Sequence, residues 1–383
     1  MFNMEHMMQQ IHSAHTYDVV IAGAGPAGCA CALALKSAGL RVALLDKQEF
    51  PRDKVCGDAI PGRAIKALEE ILPAYQQAFK QFPKKYLTRK TRLHYKGRLM
   101  ERTWILEAYT CMRTDFDHFL FSLVKETGSA DVFTKVAVKA VDVHPGGVTV
   151  TDSTGKFSCT CSVIVGCDGN HSIVARLLTA RKMDRKHHAA SVRAYYSNVM
   201  LTEPDRTEVF LNKDFFPGYF WVFPLPGNMV NAGFGMLSSE VARKKINIRQ
   251  TFHEFIAATP ELSVKFQQAV PAGDIEGFGL PLSSRQIPVS GERFLLTGDA
   301  ASLVDPVSGA GIGNAMLSGK LAAEQIIRSF RKNDFSSDCM KQYDTALYKL
   351  IGKELRINGK ILQYCSRMPF LLDIAFLMSK ANR

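Results

Sequence analysis

The sequence lacks several features that would define its class at once. No stretch approaches the roughly 18 uninterrupted apolar residues of a membrane-spanning helix, and the mean hydropathy is −0.04. The first residues, MFNMEHMMQQIHSAHTYD, have no basic start followed by an apolar core, so we expect no secretory signal. The nine cysteines include no C-x-x-C pair, so zinc and iron–sulfur sites are not expected. We therefore expect a cytoplasmic protein with free thiols and no bound metal.

The chain does have a large excess of positive charge. Its 48 Lys and Arg against 36 Asp and Glu give a formal net charge of +12 over 383 residues. The densest basic runs are residues 84–98 and 181–188. No nucleic-acid-binding module surrounds either run, so nucleic acid is not an expected partner. A solvated basic face and the attraction of an anionic substrate or membrane surface both remain open.

A glycine-rich turn near the N-terminus carries the first chemical signal. The run YDVVIAGAG predicts a buried strand, and the Ala- and Leu-rich run after it predicts a helix before a second apolar strand. Gly23, Gly25 and Gly28 form G-x-G-x-x-G at the strand–helix turn, and Asp46 closes the second strand. The glycines permit a tight turn, close approach of a pyrophosphate and close helix packing, while the acid binds a ribose. This β-α-β unit predicts dinucleotide binding.

Two later segments indicate which dinucleotide binds. Asp168-Gly169 follows an apolar strand and precedes the start of a helix. Gly298-Asp299 follows another apolar strand and precedes Pro306 and a further group of glycines. With G-x-G-x-x-G, DG and GD in this order, the chain resembles the FAD-dependent oxidoreductases of the aromatic-hydroxylase superfamily, also called group A flavoproteins.

The resemblance implies an FAD site made of backbone groups and charged side chains. Asp299 would hold ribityl or pyrophosphate oxygens, Gly311 and Ile312 would contact the flavin ring, and Arg113 would lie beside the FAD. The full set of implied FAD-binding residues is Gly23, Gly25, Ala27, Gly28, Asp46, Lys47, Arg52, Cys56, Gly57, Arg113, Asp168, Gly169, Gly298, Asp299, Pro306, Gly311 and Ile312.

Two finer motifs indicate a subfamily. The segment FPRDKVCGD is similar to the Lys-x-Cys-Gly segment of geranylgeranyl reductases, and YFWVFPLPGNMVNAGFG fits their Y-x-W-x-F-P motif followed by G-x-G. Tyr219, Trp221 and Phe223 alternate along the sequence, so they share one face of a strand. Two interpretations are open. The aromatic row lines an apolar channel for a prenyl chain, with Gly233 and Gly235 keeping the facing strand slim, or it is a packed sheet core.

The resemblance implies a flavin-dependent reductase that saturates C=C bonds of a geranylgeranyl-type prenyl chain. Reduced FAD would deliver hydride to one alkene carbon while the other carbon takes a proton. Cys56 either faces the flavin or substrate as a candidate catalytic thiol, or is a small packing residue. The sequence has no second G-x-G-x-x-G for a resident nicotinamide nucleotide. Electrons are therefore expected from transient NAD(P)H, a ferredoxin or another donor.

Two other functions remain open. An FAD-dependent monooxygenase acting on an aromatic or polyketide-like substrate, or a halogenase-like enzyme, would carry W-x-W-x-I-P where this chain has Tyr219 and Phe223. A flavin- and prenyl-lipid-binding protein without catalysis would keep the apolar channel and show negligible turnover with any electron donor.

The pattern along the chain predicts an α/β protein, α+β overall, with interleaved domains. We expect a Rossmann-like FAD-binding domain, an antiparallel β-sheet substrate domain with one helix near residues 249–258, and a helical C-terminal tail. The FAD-binding domain takes residues 17–70, 107–188 and 280–334, the substrate domain 71–106 and 189–279, and the tail 335–383.

The predicted tail contains an apolar segment. Residues Met368–Met378, MPFLLDIAFLM, are apolar apart from Asp373 and lie between Arg367 and Lys380. The segment is too short to span a bilayer, so it either caps the substrate channel or dips into a membrane surface. We expect a monomer whose partners are a prenyl-chain substrate and an electron donor, with peripheral contact at the inner face of the membrane as an open alternative.

Overall fold

The computed structural model describes residues 15–201, 203–368, 370, 372–374 and 376. Its strands are β1 (His15–Thr16), β2 (Val19–Ala22), β3 (Val42–Leu45), β4 (Ala59–Ile60), β5 (Tyr86–Tyr95), β6 (Arg98–Thr110), β7 (Asp131–Phe133), β8 (Val138–His144), β9 (Gly147–Asp152), β10 (Ser158–Cys161), β11 (Val163–Gly166), β12 (His188–Ser197), β13 (Arg206–Leu211), β14 (Gly218–Leu225), β15 (Met229–Leu237), β16 (Val270–Pro271), β17 (Glu276–Pro281), β18 (Ser290–Gly291) and β19 (Phe294–Leu296). Its α-helices are α1 (Pro26–Leu35), α2 (Gly62–Ile71), α3 (Pro73–Gln81), α4 (Arg113–Thr127), α5 (Ile173–Leu178), α6 (Ser238–Lys244), α7 (Ile248–Ala258), α8 (Pro260–Lys265), α9 (Ile312–Lys332) and α10 (Ser337–Arg367).

A six-stranded sheet, ordered β18-β19-β11-β2-β3-β7, forms the core around the glycine-rich turn. Its pairs are parallel except for β18–β19. Every residue of β2, β3 and β11 is buried, as is typical of a parallel sheet with helices on both faces. Helices α1 and α9 pack so closely that a Cβ on Gly319 would lie 2.2 Å from the carbonyl oxygen of Ala27. The predicted β-α-β unit is confirmed.

A nine-stranded sheet is the second large layer. Its main path runs β16-β12-β15-β14-β13-β5-β6-β4, with β17 also paired to β12. Its pairs are antiparallel except for β13–β5, which is parallel. On one face, Phe220 and Phe234 pack against Phe252 and Phe255 of α7. The intervening residues of β14 therefore face the other side, which is where the sequence predicted an aromatic row.

Smaller elements complete the fold. A four-stranded sheet, ordered β1-β10-β9-β8, lies beside the six-stranded one. The helix expected near residues 249–258 is α7, but α6 and α8 flank it and the sequence reading missed both. These helices have only seven and six residues, too few for a clear period of 3.6. The fold class is confirmed as mixed α/β, and the domain limits stay a prediction.

The C-terminal tail is helical, as expected. Helix α10 has 31 residues, and its N-cap Ser336 accepts a hydrogen bond from the backbone N–H of Cys339. Positions 369, 371, 375, 377 and 378 of the apolar segment Met368–Met378 lie outside the described residues. Within the described part of the chain, no helix is both long and apolar enough to cross a membrane.

Candidate functional site

The carboxyl ends of four parallel strands bring the sequence-predicted motifs to one edge of the six-stranded sheet. Gly23 follows β2, Asp46 follows β3, Asp168 follows β11 and Asp299 follows β19. Backbone hydrogen bonds hold the turns together, since the Gly23 N–H donates to Leu45 at 2.7 Å. Ligands of parallel α/β sheets bind at this edge, where the strands end and the helices begin.

The surroundings of the three glycines of the turn differ, so each position favours glycine for a different reason. Gly23 has φ +105°, and a Cβ there would lie 2.4 Å from the carbonyl oxygen of Cys167. A Cβ on Gly28 would lie 1.9 Å from the carbonyl oxygen of Gly23. A Cβ on Gly25 would contact only the Arg52 Nη2 atom, at 3.7 Å. The space beside Gly25, at the N-terminus of α1, therefore has room for a phosphate group.

Asp46, the predicted ribose-binding acid, lies beside the glycine turn. Its Oδ2 atom accepts a hydrogen bond from the Ala24 N–H at 2.9 Å, and its Oδ1 atom accepts one from Gln48 at 2.9 Å. The residue is 7% exposed. These contacts fix the carboxylate beside the glycine turn. Of its predicted neighbours, Ala27 is buried in α1 and Lys47 is exposed to solvent.

A buried ion-pair network lies beside the glycine turn. Arg113 donates two hydrogen bonds to Asp117, from Nε at 2.6 Å and from Nη2 at 2.7 Å. Arg52 donates to the same carboxylate at 3.1 Å and lies 3.7 Å from Asp46 Oδ2. Burial alone would lower the pKa of Arg113, but the Asp117 carboxylate more than offsets that and keeps the guanidinium charged.

One donor of this ion-pair network is free to bind an anion. The Arg52 Nε atom is buried and has no hydrogen-bond partner among the described residues. Two arginines against the two carboxylates of Asp46 and Asp117 offer donors next to the open space beside Gly25. The residues present therefore fit the pyrophosphate of a dinucleotide. Sequence reasoning missed Asp117, although its i,i+4 spacing from Arg113 was a usable signal.

The carboxylate of Asp168, a predicted FAD-binding residue, is hydrogen-bonded to the start of the next helix. Its Oδ2 atom accepts hydrogen bonds from the backbone N–H groups of Ile173 and Val174, and Ser172 donates to its Oδ1 atom. The carboxylate thus binds the first residues of α5, and burial raises its pKa. Gly169 makes the turn with φ +81°. Any cofactor contact from this motif is therefore expected from the Gly169 turn.

Asp299 faces a loop rich in glycine. Gly298 has φ +54°, and the carboxylate of Asp299 pairs with Lys54 at 3.1 Å. A Cβ on Gly311 would lie 3.6 Å from Asp299 Oδ1. Gly311 is the N-cap of α9 and Ile312 its first residue, while Pro306 is buried in the loop before them. Lys54 was missed because nothing local in the sequence connects it to Asp299.

The aromatic row and the segment of residues 50–58 meet directly. A Cβ on Gly57 would lie 3.4 Å from both Trp221 Nε1 and Phe223 Cε2. The Tyr219 hydroxyl donates to the carbonyl oxygen of Ser308 at 2.5 Å. The row therefore runs from the Lys-x-Cys-Gly segment to the loop that precedes α9, and it connects the two large sheets.

The facing strand, β15, is shaped to accept the indole of Trp221. A Cβ on Gly233 would lie 2.0 Å from Trp221 Cζ2, whereas one on Gly235 would lie 3.7 Å from Trp221 Cζ3. Trp221 is 7% exposed, while Tyr219 and Phe223 are half-buried. Trp221 therefore fits the interpretation of a packed sheet core. Tyr219 and Phe223 are partly exposed and remain compatible with an apolar channel.

A network of hydrogen bonds holds the aromatic row against the segment of residues 50–58. The Trp221 Nε1–H donates to Asn231 Oδ1 at 2.8 Å, and the Asn231 amide donates to the Cys56 carbonyl oxygen at 2.7 Å and to Asp58 at 2.8 Å. The Tyr195 hydroxyl also donates to Asp58 at 2.8 Å. Burial raises the pKa of Asp58 to about 6, although these hydrogen bonds lower it. Sequence reasoning missed this network because its members are distant along the chain.

Cys56 lies where the row meets the buried arginine. It is half-buried, and its thiol interacts electrostatically with the guanidinium of Arg113. It also interacts electrostatically with Tyr219, whose pKa is raised by burial and by Asp305. No strong base adjoins the thiol among these contacts, so they do not support a nucleophile activated by a neighbouring base.

The comparisons with known proteins agree with this geometry. The chain belongs to the family described as FAD binding domain, whose model matches residues 16–345. A digeranylgeranylglycerophospholipid reductase of Methanocella arvoryzae is 28% identical over 362 residues, covering 92% of this chain and 88% of that protein. The protein is thus an FAD-dependent oxidoreductase, and the predicted resemblance to the flavoprotein reductases is confirmed.

Two solved structures show the same fold. A geranylgeranyl bacteriochlorophyll reductase-like protein of Thermoplasma acidophilum has a TM-score of 0.79 at 23% identity, covering 92% of this chain and 88% of that one. The halogenase PltM in complex with phloroglucinol and FAD has a TM-score of 0.76 at 17% identity, covering 90% of this chain and 76% of that one. Both likenesses concern the fold, which reductases and halogenases share.

Proposed function

We propose that the protein is an FAD-dependent reductase that saturates C=C bonds of a prenyl chain of the geranylgeranyl type. The observation that carries the proposal is the junction of Tyr219, Trp221 and Phe223 with Cys56-Gly57 beside the loop before α9. It offers the partly exposed apolar faces of Tyr219 and Phe223. An unactivated alkene needs such a surface for orientation, because it offers no polar group to bind. The digeranylgeranylglycerophospholipid reductase relative supports the same substrate class.

The expected FAD contacts follow from the fit of the residues. We expect the pyrophosphate beside Gly25, at the N-terminus of α1 and near the free donor of Arg52. Asp46 is expected to bind the adenosine ribose, and Asp299 the ribityl oxygens. Gly311 and Ile312, at the start of α9, are expected to contact the flavin ring. When bound and reduced, FAD supplies the hydride for one alkene carbon.

The chain's own residues have three tasks in this proposal. The half-buried faces of Tyr219 and Phe223 orient the prenyl chain and exclude water. Trp221 holds the row in register through its bond to Asn231. Cys56 is the proposed proton donor to the second alkene carbon, because it precedes Gly57 at the contact with the aromatic row. NAD(P)H, a ferredoxin or another transient donor would supply the electrons.

A single anaerobic experiment distinguishes the candidate reactions. The purified flavoprotein is reduced chemically under nitrogen, mixed with geranylgeranyl diphosphate or a geranylgeranyl ether lipid, and the products are examined by mass spectrometry. Products two mass units heavier per reduced bond support the reductase. Products sixteen units heavier that form only in air would establish a monooxygenase, and halide-dependent products a halogenase. If no product forms with any electron donor, the protein binds flavin and lipid without catalysis.

The role of Cys56 has its own matched comparison. Cys56→Ala should lower single-turnover prenyl reduction about 100-fold, because a positioned proton donor contributes at least that much, while FAD content stays unchanged. Cys365→Ala removes another half-buried thiol, on α10, and should leave turnover as it is. Equal turnover in both variants would assign Cys56 to packing.

A further inference from the structure

A strongly exposed apolar projection stands out on β6. Trp104, Ile105 and Leu106 are 49%, 101% and 49% exposed. The register explains the projection, because Thr88 pairs with Ala108 whereas Lys90 pairs with Thr103. Arg89 is the one residue of β5 between these pairs, whereas β6 has four residues, 104–107, between them. The extra residues of β6 form a bulge that points outward. Exposing three consecutive large apolar side chains to water costs free energy, and such a patch indicates a binding surface.

Helix α10 carries a second exposed apolar surface. Its exposed apolar residues recur at intervals of seven, four, three and four and thus follow one line along the helix into the residue after it: Leu350, Ile357, Ile361, Tyr364 and Met368. The opposite side, with Ile351, Leu355 and Gly359, is buried against the body of the protein. One face of α10 thus packs against the protein, and an apolar line on the other face is exposed to solvent.

Positive charge borders this apolar line. Five exposed cations lie about a quarter turn to one side of it: Lys349, Lys353, Arg356, Lys360 and Arg367. Between residues 349 and 367 the single acid is Glu354, which pairs with Arg63 at 2.6 Å. An apolar line bordered by cations is the pattern of a helix that lies on an anionic membrane surface.

The two surfaces lie on the same side of the molecule. A Cβ on Gly62 would lie 2.4 Å from Leu106 Cβ, and the next residue, Arg63, makes the ion pair with Glu354 of α10. At the other end, Lys96 in the β5–β6 turn pairs with Asp373 at 2.8 Å. The projection is therefore connected to α10 through α2, and the β5–β6 turn is connected to the segment that follows α10. We call them together the apolar–basic surface.

The apolar–basic surface adjoins the proposed active site. On α10, Asn358 donates to Asp305 at 2.6 Å, at the start of the loop whose Ser308 binds Tyr219. A Cβ on Gly313, near the start of α9, would lie 3.0 Å from Arg63 Cβ. The surface and the aromatic row are therefore connected through the loop before α9.

We infer that the apolar–basic surface docks on an anionic phospholipid bilayer and receives the lipid substrate from it. The delivery of substrate rests on the proposed function, whereas the docking does not. Trp104 suits the interface between headgroups and acyl chains, and Ile105 and Leu106 suit the apolar layer below it. The cations of α10 complement phosphate headgroups, and the net charge of +12 acts in the same direction.

Vesicle flotation tests the docking with the full-length flavoprotein. Vesicles of phosphatidylcholine alone are compared with vesicles of phosphatidylcholine and phosphatidylglycerol in equal parts. We expect binding to the second kind and its loss in high salt. Lys353→Gln/Lys360→Gln should weaken binding about 30-fold, since each cation contributes about a factor of five near such a surface. Trp104→Ser/Ile105→Ser should weaken it at least about tenfold.

The controls are matched in exposure and chemistry. Val264→Ser alters an apolar side chain that is 56% exposed on α8, and Lys156→Gln removes an exposed cation between β9 and β10. Both should bind vesicles like the wild type, and circular dichroism should show all variants folded. Absent binding, or equal binding by every variant, would overturn the inference. A dimer in light scattering that Trp104→Ser/Ile105→Ser dissociates, without vesicle binding, would assign the surface to a second copy instead.

Substrate presentation separates this inference from the proposed function. If both hold, Trp104→Ser/Ile105→Ser should reduce a detergent-solubilised prenyl substrate normally and a vesicle-embedded one slowly. If the protein binds vesicles as described but reduces neither substrate, the docking stands and the reductase proposal fails.

Discussion

Replacing Gly25 by alanine tests the proposed cofactor site without disturbing the fold. A Cβ at this position would meet only Arg52 Nη2, at 3.7 Å, and the backbone is extended at φ −74°. Alanine is a poorer N-cap than glycine but restricts the unfolded chain. The two effects offset each other, so the free energy of unfolding of the apoprotein should change by less than about 1 kcal/mol.

FAD should respond very differently. The methyl group of Gly25→Ala would occupy the space that we assign to the pyrophosphate. Overpacking of that kind costs about 1–3 kcal/mol, which weakens FAD binding between about fivefold and 150-fold. The assay is fluorescence titration of the deflavinated protein with FAD, alongside urea unfolding of the apoprotein.

Two comparison variants make the result decisive. Gly277→Ala adds a methyl group on β17, where the nearest atom is 3.6 Å away, and should change neither stability nor FAD affinity. Gly28→Ala places a Cβ 1.9 Å from the Gly23 carbonyl oxygen and should destabilise the fold itself. Wild-type FAD affinity in Gly25→Ala would refute the placement of the pyrophosphate at the N-terminus of α1.

Three further predictions follow from buried contacts. A Cβ on Gly233 would lie 2.0 Å from the indole beside it, so Gly233→Ala should lower the free energy of unfolding by about 1–3 kcal/mol and slow prenyl reduction, whereas Gly277→Ala in the same sheet should do neither. Because burial raises the pKa of Asp58 from 3.8 to about 6, the folded state holds this proton more tightly. Wild-type stability relative to Asp58→Asn should therefore rise by about 2 kcal/mol as pH falls from 6 to 4, and urea titrations showing a flat difference would contradict the shift. Arg113→Met leaves Asp117 with weaker compensation and should cost about 3 kcal/mol in thermal or urea unfolding; a loss below 1 kcal/mol would show that Arg52 alone suffices.

The parts of the site set by local sequence could be predicted from it. The turn at Gly23, Gly25 and Gly28 and the acid at Asp46 depend on a strand, a helix and their junction, whose signals are continuous in the chain. The shared face of Tyr219 and Trp221 follows from the period of two along a strand. For these elements, residue type and spacing carry the structural information.

The parts created by tertiary packing could not be predicted in that way. Asp58 and Asn231 meet across 173 positions of sequence, and no local pattern relates them. The hydrogen bonds from Asp168 to the start of α5 could not be read from its motif either. The exposure of Ile105 depends on a bulge in strand pairing, whereas its sequence context is that of an ordinary strand.

The order of strands in the two large sheets has a consequence for how the protein is made. β13 pairs with β5, and β19 pairs with β11, which itself pairs with β2. Neither sheet can complete its hydrogen bonding until strands more than a hundred residues downstream have left the ribosome. The nascent chain therefore carries an open edge of β2 until β11 is made and an open edge of β5 until β13 is made, and such edges favour wrong association. Circular permutants that bring β19 ahead of β2 should acquire the six-stranded sheet earlier during translation and depend less on chaperones.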